Sequence, residues 1–145
     1  MSIPTLAFSC DHAAVDMKNH LIAHAKSLGY EVQDFGTDSS DSVDYPDIVP
    51  PVTDAVLAGK AVFGIILCGS GIGVDIAANR IPGIRSALCH SGLLARYSRS
   101  HNNCNVLCLG ARIIGVETAK NCLEEFLATE FHKEERHIRR VEKLG

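Results

Sequence analysis

Short apolar runs alternate with segments of helical periodicity along this chain, and that alternation constrains the fold more than any other feature. The apolar runs lie at 6–10, 30–35, 62–67, 86–89 and 105–109. The helical segments lie at 13–28, 44–59, 74–79, 91–100 and 115–128. Strands that alternate with helices are typical of a parallel sheet covered on both faces. We therefore predict one α/β domain over residues 1–145, doubly wound and Rossmann-like, with a five-stranded parallel sheet.

The composition narrows the class of protein. The chain is 46% hydrophobic and 21% charged, which is ordinary for a globular protein. Its net charge of −3 offers no broad basic surface, so we expect no nucleic-acid partner. The first residues lack a basic and apolar leader, and no apolar run approaches the length of a membrane span. We expect a cytoplasmic protein that does not bind membranes.

The cysteines are interpreted mainly as core residues of a reducing compartment. There are six of them, mostly in apolar contexts. The spacing of Cys104 and Cys108 would place both side chains on one face of a strand. No second pair with metal-ligand spacing follows, so we expect no metal site.

A glycine-rich turn follows the third apolar run and precedes a helix. It reads Cys68-Gly69-Ser70-Gly71-Ile72-Gly73. Such a turn points backbone N–H groups outward at a helix N-terminus, where an anion is favoured and a thiolate at Cys68 would be stabilised. It lacks the spacing of a dinucleotide fingerprint and the Lys-Ser/Thr of a P-loop. A small phosphorylated ligand is therefore easier to accommodate than a nucleotide.

Three other polar groups allow two interpretations each. Asp11-His12 follows the first strand, where it either lines a ligand site or caps the next helix. His101-Asn102 ends a helix, where a histidine also serves as a capping cation. Arg136 and Arg140 share one face of a charged terminal helix, predicted over about 132–144, that is either simply solvated or a fork for phosphate. This helix has little core of its own, which suggests docking on a partner subunit.

Taken together, these residues resemble a known family. Its motifs occur in order as Cys10-Asp11-His12, Asp44-Tyr45-Pro46, the run from Cys68 to Gly73, Ile76-Ala77-Ala78-Asn79, Gly83-Ile84-Arg85, Ser98-Arg99-Ser100-His101-Asn102, Asn105-Val106, Gly110-Ala111-Arg112, and Arg136-His137 with Arg140. The chain resembles ribose-5-phosphate isomerase type B over roughly residues 5–143. The wider group includes galactose-6-phosphate isomerase subunits.

The resemblance implies a reversible isomerisation of ribose 5-phosphate and ribulose 5-phosphate through an enediolate, in the pentose phosphate pathway. It implies neither a metal nor an organic cofactor. His101 matches the residue that opens the furanose, and an imidazole suits that task near neutral pH. Cys68 matches the base that moves a proton between C1 and C2. Ser70 is placed to pass a proton between the two substrate oxygens.

The resemblance also implies how the substrate is held. The anion hole for the enediolate consists of loop amides, among them Gly69, Gly71, Ile72 and Gly73. The sugar site is lined by Asp11, His12, Tyr45 and Asn102. The phosphate meets Arg112, Arg136 and Arg140, assisted by His12 or His137. The family's site is built from two subunits, which implies a homodimer or a dimer of dimers with shared active sites.

One position separates two branches of the family. Another branch lacks the cysteine and carries a glutamate directly after the glycine loop, where this chain has Val74. Because valine cannot take a proton, the cysteine mechanism is the coherent one here. Three alternatives stay open: an isomerase of hexose 6-phosphates such as allose or galactose 6-phosphate, a non-catalytic sugar-phosphate-binding module, and a cysteine hydrolase, for which no orienting third group is visible.

Overall fold

A computed structural model describes residues 2–145, and its centre is one sheet of five parallel strands. The strands are β1 (Thr5–Cys10), β2 (Glu31–Asp34), β3 (Phe63–Cys68), β4 (Ser86–Leu88) and β5 (Val106–Gly110). They are arranged in the order β2-β1-β3-β5-β4, and every pairing is parallel. The predicted five-stranded parallel sheet is therefore confirmed.

Helices cover both faces of this sheet. They are α1 (Val15–Ser27), α2 (Pro50–Leu57), α3 (Ile72–Asn79), α4 (Gly92–Ser100), α5 (Val116–Ala128) and α6 (Glu135–Leu144). The core under α1, α4 and α5 lies on one face, and the core under α2 and α3 lies on the other. The chain winds outward from β1 in one direction and from β3 in the other. The carboxyl ends of β1 and β3 therefore meet at the switch point where doubly wound folds bind ligands.

The helix predicted over 44–59 is interrupted. A short 3-10 helix spans Tyr45–Ile48, and α2 begins only at Pro50. Pro50 and Pro51 have no N–H to donate to the preceding turn, so a continuous helical ladder cannot pass through them. Proline is well tolerated in a first helical turn, which is why α2 begins there.

The terminal helix begins at Glu135 rather than near 132. The preceding segment continues from Thr129 in an extended conformation. The His132 N–H donates to the Ser100 carbonyl at 2.9 Å, so the chain is held against the end of α4 before it coils. A hydrogen bond to α4 thus takes the place of the first helical turn.

The prediction that Cys104 and Cys108 share one face of a strand is wrong. Cys104 precedes β5 and packs in the core under α4 and α5, whereas Cys108 packs on the opposite face with α3. Both thiols are buried, and burial raises the pKa of Cys104 to about 11. They are core residues, as the apolar context indicated.

Candidate active site

The glycine loop, residues 69–73, joins the carboxyl end of β3 to α3. Gly71 has a φ of +80°, a conformation that side chains rarely adopt, and a β-carbon there would meet Leu88 and the backbone of Leu109. This turn folds the chain back so that the Gly71 N–H donates to the Cys68 sulfur at 3.1 Å. Such a bond strengthens when its acceptor is anionic. The turn at Gly71 therefore fixes the Cys68 sulfur at the start of the loop.

The loop amides are only partly available to a bound anion. The Gly71 N–H is directed at the Cys68 sulfur, and the Ile72 N–H donates to the Ser70 hydroxyl oxygen at 3.1 Å. The Gly73 N–H has no acceptor within residues 2–145. The Gly69 N–H likewise has no acceptor there, so two of the four loop N–H groups expected to form an anion hole are free. Ser70 accepts through its oxygen and keeps its hydroxyl proton free to donate.

Asp11 and His12 lie beside Cys68 at the end of β1. The Asp11 N–H donates to the Leu67 carbonyl at 3.1 Å, which continues the β1–β3 ladder and aligns Asp11 with Cys68. The Asp11 carboxylate accepts the Ala13 N–H, so it both shapes the turn and borders the site. His12 Nδ1 lies 3.2 Å from the Val43 N–H. A backbone N–H can only donate, so the neutral imidazole carries its proton on Nε2.

Tyr45 and Arg112 complete this group. A β-carbon at Gly73 would overlap the Tyr45 ring, so the ring lies directly over the start of α3. A β-carbon at Gly69 would lie 3.4 Å from the Arg112 guanidinium, and the Arg112 N–H donates to the Gly69 carbonyl at 2.9 Å. We call this group the carboxyl-edge cluster. It consists of Asp11, His12, Tyr45, Cys68, the glycine loop and Arg112.

His101 lies at the amino ends of the strands, opposite the carboxyl-edge cluster. It caps the C-terminus of α4, two residues after Arg99, whose guanidinium lies 4.5 Å from the centre of the Phe63 ring. Phe63 is the first residue of β3 and Cys68 is the last. Five residues at about 3.3 Å each separate these positions by about 16 Å. One chain therefore does not bring His101 to Cys68.

Aromatic rings cover both faces of the His101 imidazole. The Tyr97 ring stacks on one side with centroids 4.9 Å apart, and the His137 ring stacks on the other at 4.6 Å. His137 is the one buried residue of α6, and its Nε2 has no hydrogen-bond partner in the described part of the chain. Burial lowers the pKa of His137, and the charges of Arg136, His101 and Arg140 act in the same direction, against Glu134.

The remaining predicted residues gather near His101. Arg136 and Arg140 flank His137 on α6, and Arg136 is paired with the Glu134 carboxylate at 2.8 Å. Asn102 is exposed and borders a groove that also contacts the end of α6 at Leu144. We call this group the amino-edge cluster. It consists of His101, Asn102, Arg136, His137 and Arg140.

Two residues of the amino edge were not singled out from sequence. Tyr97 precedes His101 by four residues on a helix, and that spacing alone indicates that the two rings are neighbours. Arg99 also has a local partner, Asn103, four residues on, but its bond to Thr129 joins residues 30 positions apart and has no local signal. Within residues 2–145, no group of three or more His, Cys, Asp or Glu side chains could hold a metal ion. No described helix has the length and apolar character needed to cross a membrane.

Comparisons with known proteins cover nearly the whole chain. A model of the ribose/galactose isomerase family matches residues 6–144. Ribose-5-phosphate isomerase B of Escherichia coli (strain K12) is 41% identical over 139 residues, which span 96% of this chain and 93% of the relative. D-erythrulose-4-phosphate isomerase of Pectobacterium atrosepticum is 40% identical over 128 residues, spanning 88% and 84%. A solved ribose 5-phosphate isomerase from Thermotoga maritima matches with a TM-score of 0.94 at 46% identity, covering 97% of both chains.

Proposed function

The chain belongs to the ribose/galactose isomerase family, and we propose that it is an isomerase that interconverts ribose 5-phosphate and ribulose 5-phosphate. The observation that carries this proposal is the Cys68 sulfur, which accepts the Gly71 N–H beside Asp11 at the switch point of the sheet. A hydrolase would need a base that activates the thiol. The Cys68 sulfur instead accepts a backbone N–H, and no histidine is hydrogen-bonded to it in the described part of the chain.

The proposed reaction moves one proton from C2 to C1 and one from the C2 oxygen to the C1 oxygen, and it leaves the carbon skeleton unchanged. His101 takes the proton of the anomeric hydroxyl and protonates the ring oxygen, which opens the furanose to the aldehyde. The Cys68 thiolate then removes the proton from C2, and the electron pair forms the enediolate. The Gly73 N–H and the Ser70 hydroxyl face the developing charge. Return of the same proton to C1, with proton exchange between the two oxygens through Ser70, gives the ketose.

We propose that the site is assembled from two copies of the chain. The carboxyl-edge cluster holds the base Cys68 and one candidate phosphate ligand, Arg112, whereas the amino-edge cluster holds His101, Arg136 and Arg140. These clusters lie at opposite ends of β3, which is about 16 Å long, and this is too far for both to contact one pentose. A second copy that places its amino edge against this carboxyl edge completes the site.

An exposed apolar surface between the two clusters provides a contact area for this second copy. Large apolar side chains are exposed along α3 and α4, on either side of the edge strand β4: Ile72, Ile76, Leu93, Leu94 and Tyr97. Ile72 lies at the glycine loop, and Tyr97 stacks on His101. A two-fold axis through this surface brings the loop of each copy to the His101 of the other. The homodimer therefore contains two shared sites, with α6 docked on the partner.

A coupled assay tests the proposed function. Purified protein with chelator present should convert ribose 5-phosphate to ribulose 5-phosphate and reverse the reaction from the ketose. The same assay is run with allose 6-phosphate, galactose 6-phosphate and erythrulose 4-phosphate, because the family and its relatives act on sugars of different length. A higher kcat/KM for a hexose phosphate would overturn the pentose assignment. Binding without any turnover would favour the non-catalytic module.

Two finer points remain part of the proposal. The buried free thiols suit a reducing compartment, so we place the enzyme in the cytoplasm. The dimer is the smallest assembly that completes a site, and a dimer of dimers would contain four such sites. Sedimentation of the purified protein separates these two assemblies.

A further inference from the structure

Arg99 is a buried cation that the proposed chemistry does not use. Its side chain is only 8% exposed, and the guanidinium lies over the rings of Phe63 and Phe126. No carboxylate pairs with it among the described residues. Its hydrogen-bond acceptors are instead two carbonyl oxygens and one side-chain amide oxygen. Burying a charge without a carboxylate partner costs desolvation free energy, which these three hydrogen bonds offset only in part. We therefore expect these bonds to perform a specific role.

The three acceptors belong to two segments that meet at the amino edge. Nη1 donates to the Cys104 carbonyl at 2.7 Å and to the Asn103 side chain at 3.0 Å. Both lie in the turn that follows His101. Asn103 has a φ of +49°, the one left-handed conformation of a non-glycine residue in the described chain. The guanidinium therefore holds this strained turn closed on one side of His101.

The third bond reaches the segment that leads to α6. Nε donates to the Thr129 carbonyl at 3.3 Å, at the end of α5. The neighbouring Ser100 carbonyl accepts the His132 N–H. Beyond these bonds, α6 contacts the chain mainly through His137, its one buried residue. The position of α6 relative to His101 is therefore set by Arg99, Ser100 and the His101–His137 stack.

We propose that Arg99 is a positioning residue that fixes the distance between His101 and the phosphate-binding arginines of α6, and thereby the length of sugar phosphate that the enzyme prefers. This inference rests on the proposed function. His101 acts at the ring oxygen, and Arg136 and Arg140 hold the phosphate at the other end of the same sugar. His101, Arg136 and Arg140 all belong to one copy of the chain, so a fixed distance between His101 and these arginines selects sugar phosphates of one length.

The test uses two replacements of Arg99. Arg99→Lys keeps the charge but cannot donate to all three acceptors, and Arg99→Met keeps the bulk without the charge. The readout is the ratio of kcat/KM for ribose 5-phosphate to that for allose 6-phosphate. A misplacement of about 1 Å can change catalysis on the order of 10²-fold. We expect the ratio to fall at least about tenfold in both variants, with most of the loss in KM.

Asn103→Gly gives a variant that should stay folded. It removes one acceptor of Arg99 and also relieves the left-handed strain, so its melting temperature should be retained. We expect its selectivity to fall by a smaller factor than in the Arg99 variants. Phe126→Leu is the matched control, because it weakens packing beneath the guanidinium and leaves the three hydrogen bonds in place.

The outcomes separate this inference from the proposed function. If the wild-type protein fails to isomerise any sugar phosphate, the proposed function itself is wrong. If the wild type is active and Asn103→Gly and the folded Arg99 variants keep its selectivity, the positioning role is overturned. It is also overturned if Phe126→Leu loses selectivity as much as Arg99→Lys at the same loss of melting temperature, since the effect would then be one of stability alone.

Discussion

The imidazole rings of His101 and His137 lie face to face, with centroids 4.6 Å apart and planes inclined by 9°. Tyr97 covers the opposite face of His101, so only the edge of that ring, with its two nitrogens, is open to a substrate. Two stacked imidazolium ions would repel each other. Burial and the neighbouring positive charges lower the pKa of His137, so the stack favours a neutral ring at that position.

Replacing His137 tests whether the stack orients His101. His137→Ala should lower turnover of ribose 5-phosphate by about two- to tenfold. This factor corresponds to the free energy of about 0.5–1.5 kcal/mol that one aromatic pair contributes. His137→Phe keeps a ring in place and should restore most of the activity. Ribulose 5-phosphate cannot form a furanose, because its C5 oxygen carries the phosphate, so its turnover should change less. Equal losses in the Ala and Phe variants would show that the nitrogen matters rather than the stack.

The same histidine predicts how stability depends on pH. Its pKa in the folded chain lies below the usual value of 6.5, so the unfolded chain binds more protons as the pH falls through that value. Stability contributed by His137 is therefore present above about pH 6.5 and decreases below it. We expect His137→Phe to lose less melting temperature than the wild type between about pH 7.5 and pH 5.5. His20→Gln, on the exposed side of α1, is the control and should follow the wild type.

Removing the Cys68 thiol should stop the isomerisation and leave substrate binding nearly intact. A positioned base typically contributes about 10²–10⁴-fold, so Cys68→Ala should lose at least that factor in kcat. Calorimetric titration with ribose 5-phosphate measures the retained binding. Cys122→Ala, in the core under α5, is a matched loss of a buried thiol and should remain active. Near-normal kcat in Cys68→Ala would remove the cysteine from the mechanism.

Alanine variants of Gly71, in the glycine loop, and of Gly59, outside it, test what the loop conformation contributes to activity. Both have positive φ, +80° and +74°, so the left-handed conformation alone should cost alanine at either position about 1–2 kcal/mol of unfolding free energy, and Gly71→Ala should cost more because of steric overlap. A β-carbon at Gly59 has nothing within 4 Å, whereas one at Gly71 meets Leu88 and Leu109. Only Gly71→Ala should also displace the N–H that faces Cys68 and abolish activity. Urea unfolding and the coupled assay measure the two effects, and an inactive Gly59→Ala would contradict the loop's specific role.

Mixing two inactive variants tests the shared site. Cys68→Ala and His101→Ala homodimers each lack one essential group in both sites. A heterodimer of the two has one intact site and one site that lacks both groups. After random exchange of subunits, activity should recover to about one quarter of the wild-type value. No recovery, despite heterodimers seen by native mass spectrometry, would refute a site assembled from two copies.

Much of the fold followed from local sequence patterns. The alternation of apolar runs and helical segments predicted five parallel strands, and the buried residues of β3 occupy the run that was predicted. The ordered motifs predicted the family, which is confirmed. The predicted limits of two helices were wrong, because Pro50 and the His132–Ser100 bond interrupt segments whose sequence pattern is helical.

The arrangement of the site depended on tertiary structure. Periodicity and motifs act over a few residues, so they identified Cys68, His101 and Arg136 as separate groups. Which groups meet depends on the strand order and on the direction of α4, which runs against β3 and carries His101 away from Cys68. The His101–His137 stack and the Arg99–Thr129 bond likewise join residues about 30 or more positions apart in sequence. The sequence by itself thus determined the sheet and the candidate residues. Long-range packing alone decided that these residues lie in two separate clusters, because one helix can end at only one edge of a sheet.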